Sequence, residues 1–240
     1  MDTPSLRNFR VENNVKLADG IFELCLAPAD QEPLFGFSAG QFVMLHLLNA
    51  DQSVWAKAAY SMASAPSESA EAIKLAIKVR GDLTKRARDL QSGDFVKVQG
   101  PYGKFILPDE DRHIVMLAGG IGIAPFRSMI REAMSSKPDQ KITLLYSCKT
   151  AEGMAYLDEL KQLGSLNANF KPVFSLTGYA PQGWEGETGR IGTKLLHKHV
   201  PEVQNVIFMV CGTREFVSDM ADMLKKCGVD ATMNLHKEMF

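Results

Sequence analysis

His113-Ile114-Val115-Met116-Leu117-Ala118-Gly119-Gly120-Ile121-Gly122-Ile123-Ala124-Pro125 is the stretch that decides the fold. It begins as an unbroken apolar run, as in a strand buried on both faces. It then turns on glycines, after which Phe126, Met129, Ile130, Ala133 and Met134 recur at helical spacing. A strand passing through glycines into a helix is what a dinucleotide pyrophosphate site needs. Glycine lets the backbone approach the phosphates. The helix start offers N–H groups without partners and the positive end of the dipole. Pro125 suits the first helical turn, where its missing N–H costs little. It also stands where the dehydrogenase pattern G-x-G-x-x-G has its third glycine, so the ordinary fingerprint is absent. A tight β–α turn with no ligand uses the same residues.

Downstream, strands are expected at 141–147, 170–176, 206–211 and near 231–236, and helices near 153–163, 191–199 and 214–226. A long Gly-rich loop precedes the helix at 191. Strands alternating with helices imply a doubly wound parallel sheet, which binds ligands at its C-terminal edge. Cys211-Gly212 ends a second apolar strand and would emerge at that same edge.

Upstream the period changes to two. Ile73-Lys74-Leu75-Ala76-Ile77-Lys78-Val79-Arg80 alternates apolar with mostly charged residues, as on a half-buried antiparallel strand. Similar segments lie at 8–16, 20–27, 41–48, 57–64 and 94–99, with one short helix at Thr84–Leu90. Turn signals separate them: Asn13-Asn14, Asp19-Gly20, Pro33, Ala65-Pro66 and Ser92-Gly93-Asp94. About six strands at this spacing suggest a small barrel or sandwich.

Composition narrows the function. The 240 residues carry 27 Lys+Arg against 28 Asp+Glu, and neither half holds an excess of one sign. That balance argues against a general nucleic-acid binder. No apolar run approaches the roughly 18 residues that span a bilayer. The polar start, MDTPSLRNFRVENN, is not a secretory signal. Cys25, Cys148, Cys211 and Cys227 are scattered, which points to a reducing cytoplasm. They form no set of about four thiolates for an iron–sulfur centre.

Several motifs in order make the chain resemble the ferredoxin–NAD(P)H reductase family. They are Ala58-Ala59-Tyr60-Ser61, Arg80-Gly81-Asp82-Leu83-Thr84, Gly93-Asp94, Gly100-Pro101-Tyr102-Gly103-Lys104-Phe105, Gly120 to Pro125, Cys211-Gly212, and Glu238-Met239-Phe240. The resemblance implies an N-terminal six-stranded antiparallel Greek-key barrel that binds flavin, residues 1–108. A nicotinamide-binding α/β domain with a doubly wound parallel sheet follows, residues 109–240. FAD and NAD(P)H are the implied cofactors. Tyr60 would stack on the flavin ring, and Ser61 would hydrogen-bond near its N5. Gly81, Leu83 and Thr84 would hold the flavin pyrophosphate through backbone N–H groups, with the Thr84 hydroxyl helping, and Lys78 and Arg80 would also bind the cofactor. Gly119, Gly120, Gly122, Ile123, Ala124 and Pro125 would approach the pyrophosphate of the nicotinamide cofactor. Cys211 and Gly212 would lie beside the nicotinamide, with Glu238 and Phe240 near the flavin face that receives it. Ser61, Cys211 and Glu238 are the implied catalytic residues. Ser147 and Lys149 fall where NADH and NADPH are told apart. No metal site is implied.

One position departs from the pattern. The family's arginine, two residues before the tyrosine, is Ala58. That loss implies weaker FAD, FMN in its place, or a substitute cation. Lys57 should point to the opposite face of its strand, which leaves Arg80, Lys85, Arg86 and Arg88 as candidates. A solvated helix face, or docking of an acidic partner, would account for them equally. His46 reads as a satisfied core or rim histidine. Trp55 and Trp184 read as loop residues. His197 and His199 are two apart on a helix and do not share a face.

The implied activity is a flavoprotein reductase that passes a hydride from NAD(P)H to FAD. Single electrons then go to a separate acceptor: a ferredoxin, a flavodoxin or an oxygenase component. The alternatives are an FAD-containing electron-transfer subunit of a larger complex and a flavin-free nucleotide-binding regulatory module.

Overall fold

A computed structural model describes residues 4–68 and 70–240. It divides into two compact units. One holds the chain up to Leu107 together with Arg127–Glu132; the other holds Pro108–Phe126 and Ala133–Phe240.

The first unit is built from β1 (Leu6–Ala18), β2 (Ile21–Pro28), β3 (Phe42–Leu48), β4 (Val54–Ser61), β5 (Ile73–Lys78) and β6 (Phe95–Tyr102), with helix α1 (Asp82–Arg88) between the last two. All neighbours are antiparallel, in the order β4-β3-β6-β1-β2-β5. Met62 bridges to Leu75, which joins the two ends of the sheet and closes it into the expected barrel. Alternation sets what lies inside. Phe9, Val11, Leu24, Leu26, Val43 and Leu45 are all buried in one cluster, while their strand neighbours face outward.

Four expectations from the sequence need correction. Asn13-Asn14 is not a turn: β1 runs through it by way of a bulge after Val11. Asn14 instead points its Nδ2 at the carbonyls of Ala87, Arg88 and Leu90, 2.9–3.2 Å away, and so ties the end of α1 to the barrel wall. Trp55 lies in β4, not in a loop, because a bulge between Leu47 and Leu48 lets that strand start at Val54. His46 is buried with neither ring nitrogen hydrogen-bonded, so it is not satisfied. Burial, and then the charges of Lys57 and Lys97 paired with it on the neighbouring strands, hold its pKa below the usual histidine value. The last strand starts late, at Leu235, because the Asp230 carboxylate accepts the N–H and hydroxyl of Thr232 and makes a turn there.

Within the first unit, Arg127 is almost fully buried and forms a two-pronged pair with Glu68. Nη1 lies 2.6 Å from Oε2, and Nη2 lies 3.0 Å from Oε1. Arg127 also donates to the Ala63 carbonyl, Arg131 adds a third contact to Glu68, and Ser128 donates to the Ser64 carbonyl. This network fastens the segment after β4.

The second unit contains β7 (His113–Gly119), β8 (Ile142–Cys148), β9 (Phe170–Leu176), β10 (Glu187–Thr188), β11 (Val206–Gly212) and β12 (Leu235–Met239). All pairs are parallel, in the order β10-β9-β8-β7-β11-β12. Helices α2 (Ile123–Ser136), α3 (Leu157–Leu166), α4 (Thr193–His199) and α5 (Arg214–Lys226) connect them. The strand order reverses at β7, which lies between β8 and β11. Every residue of β8 and β11 is buried, as the unbroken apolar runs require. Among the described residues no helix is long and apolar enough to cross a membrane.

The buried pair yields a prediction with a sign. Burial raises the Glu68 carboxyl, but the Arg127 hydrogen bonds, the Ala65 N–H and the Arg131 charge outweigh it and leave its pKa below the usual value. Its contribution is therefore present at neutral pH and is lost as pH falls through that depressed value. Glu68→Gln leaves the buried guanidinium without its counter-charge and should cost about 3–5 kcal/mol. Urea unfolding at pH 7 and in acid checks this: the gap between variant and parent should narrow in acid. A gap that is small at pH 7 refutes the assignment.

Candidate functional site

The candidate residues fall in two groups, one in each unit. In the second unit they gather at the C-terminal edge of the parallel sheet. Gly119 ends β7 in register with Ser147 of β8, and Ala118 is in register with Cys211 of β11. The chain then makes one turn of 3-10 helix, Gly120–Gly122, and enters α2 with Ile123, Ala124 and Pro125 as its first residues.

Two of these glycines do different things. Gly122 packs on the end of β11: a Cβ there would sit 2.3 Å from the Cys211 carbonyl oxygen and 2.8 Å from the Gly212 nitrogen. Gly120 has φ +55°, and nothing lies within 4 Å of where its Cβ would be. It is left-handed, and the space at its Cβ position is open. The first N–H groups of α2 have no carbonyl in their own helix to pair with. The Ile123 N–H donates to the carbonyls of the preceding turn, at Gly120 and Ile121. An open glycine at a helix start, where strand order reverses, fits a nucleotide pyrophosphate. On the other side of this turn the Phe216 ring packs against both Gly119 and Gly212.

Cys211 is 1% exposed. Burial, and then the Glu238 carboxylate paired with it on β12, pushes the thiol well above its ordinary pKa. It is a neutral thiol, not a thiolate. The Phe240 N–H donates to the Gly212 carbonyl at 3.3 Å, and its ring is half exposed. Ser147 is buried at the same edge, whereas Lys149 lies beyond β8 with an exposed side chain. The Trp184 Nε1–H donates to the Glu187 carbonyl, so that loop folds on itself.

In the first unit Tyr60 and Ser61 end β4, paired with Val43 and Phe42 of β3. Tyr60 leans on the barrel core, and burial pushes its pKa up to about 12, so it remains a neutral phenol. Ala58 shares its inward-facing side, while Lys57 is exposed on the other. Lys78 and Arg80 lie exposed before α1. Gly81 caps α1, and the Thr84 hydroxyl closes the turn. It accepts the N–H groups of Arg80 and Gly81 at 2.8 and 3.0 Å and donates to the Gly81 carbonyl at 2.8 Å. The Gly81 N–H and the Thr84 hydroxyl are thus used within the turn. The N–H groups at the start of the helix proper, on Asp82, Leu83 and Thr84, are the ones without intrahelical partners. Leu83 also packs on the barrel core.

A cavity of about 1090 Å³ lies elsewhere, at the N-terminal edge of the parallel sheet, lined among others by His113, Thr143, Lys171 and Val206. It contains none of the sequence-predicted residues. His113 there is held at a pKa of about 4 by burial and then by the Lys141 and Lys171 charges.

The two glycine roles separate on substitution. Gly122→Ala should destabilise by about 3 kcal/mol or more, because its neighbours are backbone that cannot give way. Gly120→Ala should cost about 1–2 kcal/mol, from the left-handed backbone alone. Equal urea midpoints for the two variants would show that the close approach at Gly122 is wrongly read.

Comparison with known proteins bears on both groups. Residues 8–106 match the oxidoreductase FAD-binding domain, and residues 116–222 match the oxidoreductase NAD-binding domain. A component chain of the Na(+)-translocating NADH-quinone reductase of Idiomarina loihiensis is 30% identical over 187 residues, 72% of this chain and 46% of that protein. The chain thus spans about half the length of that relative. NADH-cytochrome b5 reductase 1 from Aspergillus terreus is 26% identical over 95% of this chain and 80% of its own length. Among solved structures, the flavohem-like FAD/NAD-binding domain of nitric oxide dioxygenase from Vibrio cholerae O1 biovar El Tor superposes with a TM-score of 0.87. It is 19% identical and covers 98% of each chain. With an FAD-binding domain followed by an NAD-binding domain on this fold, the chain belongs to the ferredoxin–NAD(P)H reductase family.

Proposed function

We propose that the chain is an NAD(P)H-dependent flavin oxidoreductase that hands single electrons to a separate acceptor. The observation that carries this reading is the pairing of the two matched domains with an open, left-handed Gly120 at the start of α2. When bound, FAD supplies the chemistry that takes a hydride from NAD(P)H and releases electrons one at a time.

The chain's own residues bind and orient. Tyr60 offers an aromatic face fixed against the barrel core, against which a planar ring can pack. Its high pKa keeps that surface uncharged. Ser61, the last residue of β4, supplies the hydroxyl for the hydrogen bond near flavin N5. Asp82, Leu83 and Thr84 give backbone N–H groups to the flavin phosphates, and the Thr84 hydroxyl shapes the turn that presents them. Gly120 leaves room for the phosphates of NAD(P)H, and the first N–H groups of α2 receive them. Cys211 contributes a neutral, polarizable wall at the sheet edge for the nicotinamide, and Glu238 holds its place by pairing beside it. Ser147 and Lys149 stand where the two coenzymes are told apart.

The relatives' names point to different acceptors, a quinone in one and cytochrome b5 in the other. For this chain the acceptor is a separate one-electron carrier, such as a ferredoxin, a flavodoxin or an oxygenase component. A permanent place as the flavin-carrying chain of a larger complex uses the same residues.

Anaerobic titration tests the reading. The protein reconstituted with FAD should show a flavin spectrum that bleaches on addition of NADH or NADPH. A protein that takes up no flavin, or whose flavin neither coenzyme bleaches, refutes the proposal. Tyr60→Ala should weaken FAD binding by about 10-fold or more, the scale of one lost aromatic contact and its burial. Unchanged affinity in a fluorescence titration would remove Tyr60 from the site.

A further inference from the structure

Trp55 is an exposed tryptophan at the start of β4, and Arg86 lies over it. The guanidinium carbon is 4.7 Å from the ring centroid. Arg86 also donates through Nη2 to the Leu48 carbonyl at 2.6 Å. One side chain therefore spans from α1 to the β3–β4 hairpin, held by a backbone carbonyl at one atom and an aromatic face beneath. Neither contact neutralises its charge. Among the described residues no carboxylate pairs with Arg86. The other cations of the helix differ: Lys85 leans on Asp82 at 3.4 Å, and Arg88 on Asp89 at 2.8 Å. A guanidinium has five N–H donors in a rigid plane, so one bond to Leu48 leaves several free. Cation–π contact fixes the plane without using those donors.

Position along the helix gives this cation a direction. Arg86 is four residues after Asp82, about 6 Å along the axis. Side chains on a helix lean back toward its N-terminus. Strand β4 cannot provide a cation on the Tyr60 side, because Ala58 has no charge and Lys57 faces the other way. Arg86, organised on Trp55 and the Leu48 carbonyl and paired with no carboxylate among the described residues, is a cation held beside that strand.

We propose that Arg86, held on Trp55 and Leu48, is the cation that binds the phosphate of the flavin nucleotide in this chain. The inference rests on the flavin reading above and deepens it: the site recognises a phosphorylated flavin through α1, not through β4. It predicts discrimination by phosphate. FAD and FMN should both depend on Arg86, and riboflavin, which has no phosphate, should not.

The test is a fluorescence titration of the full-length apoprotein with FAD, FMN and riboflavin. It compares the parent with Arg86→Ala, Arg86→Lys and Trp55→Ala. Arg86→Ala should bind FAD and FMN about 10- to 100-fold more weakly, the range for losing a hydrogen bond to a charged group. Its riboflavin affinity should stay within about twofold of the parent. Because an exposed charge has gone, its FAD affinity should also depend less on salt. Arg86→Lys should recover part of the loss, since it keeps the charge but not the fork. Trp55→Ala should fall between Arg86→Ala and the parent, because Arg86 then lacks its platform. Arg86 is exposed, so urea midpoints of the apoproteins should coincide; if Arg86→Ala proves unstable, the salt dependence of Arg86→Lys and Trp55→Ala decides. A parent that binds FAD while Arg86→Ala binds it equally well overturns this proposal and leaves the flavin reading intact. Equal weakening of all three flavins also overturns it, because the residue would then act on the fold and not on phosphate. A parent that binds no flavin at all overturns the underlying reading with it.

Discussion

The second unit depends on an absent side chain. The turn after β7 must cross the end of β11, and the backbone there comes so near that a Cβ at residue 122 would sit 2.3 Å from the Cys211 oxygen. No larger residue fits without moving one strand end away from the other. That closeness has a second consequence. With Gly122 pressed on β11, the start of α2 is set over the crest of the sheet, and Phe216 closes the far side against Gly119 and Gly212. α5, which carries Phe216, is itself fixed by its cap: the Thr213 hydroxyl accepts the Phe216 N–H at 3.3 Å. Strand, turn and two helices thus share one contact. Gly120 is the residue of this turn that the packing leaves open, and so the turn presents its backbone outward.

The buried side chains at this edge are polar but uncharged. Ser147 is buried, Ser175 donates to the Gly189 carbonyl at 2.7 Å, and Cys211 is a protonated thiol. Under the proposed function a phosphate there would meet the positive end of α2 and not a buried lysine or arginine. A charged residue at position 211 would change this. It would have to be desolvated inside a strand whose residues are all buried, beside the carboxylate of Glu238. A small neutral group there suits both the sheet and the approach of an uncharged ring.

Much of this was legible in the sequence because burial leaves a period. Continuous apolar runs marked β7 and β11, and alternation marked β5. Helix α5 was expected at 214–226 and spans Arg214–Lys226, since Val217, Met220, Met223 and Leu224 put one stripe on its buried face. The misreadings fall where a distant residue decides a local matter. Asn14 reads as a turn former until the end of α1, more than 70 residues away, is beside it. The pairing of Glu68 with Arg127 leaves no local trace, because nothing nearby in sequence shows that each is the other's partner across 59 residues. His46 keeps strand pattern but gives no sign that lysines stand on both sides. The glycine turn was recognisable as a turn. Which glycine serves packing and which stays open is a matter of distances, and a one-dimensional pattern carries none.

The barrel makes the corresponding point about charge. Alternation along β4 ties the identity of position 58 to the face that Tyr60 occupies, so a cation cannot be moved one step along the strand: Lys57 is adjacent in sequence and on the wrong side. A helix is less restrictive, because a long side chain one turn in can lean back toward the helix start. It still needs an anchor, since a free arginine has many rotamers to lose. Trp55 and the Leu48 carbonyl supply that anchor for Arg86, and the β-bulge between Leu47 and Leu48 is what places Val54 and Trp55 at this end of the sheet. An irregularity in one hairpin thus sets where the charge of another element is held. A chain with alanine at position 58 can therefore hold a cation on the neighbouring helix, provided that the hairpin next to the helix is shaped to anchor it.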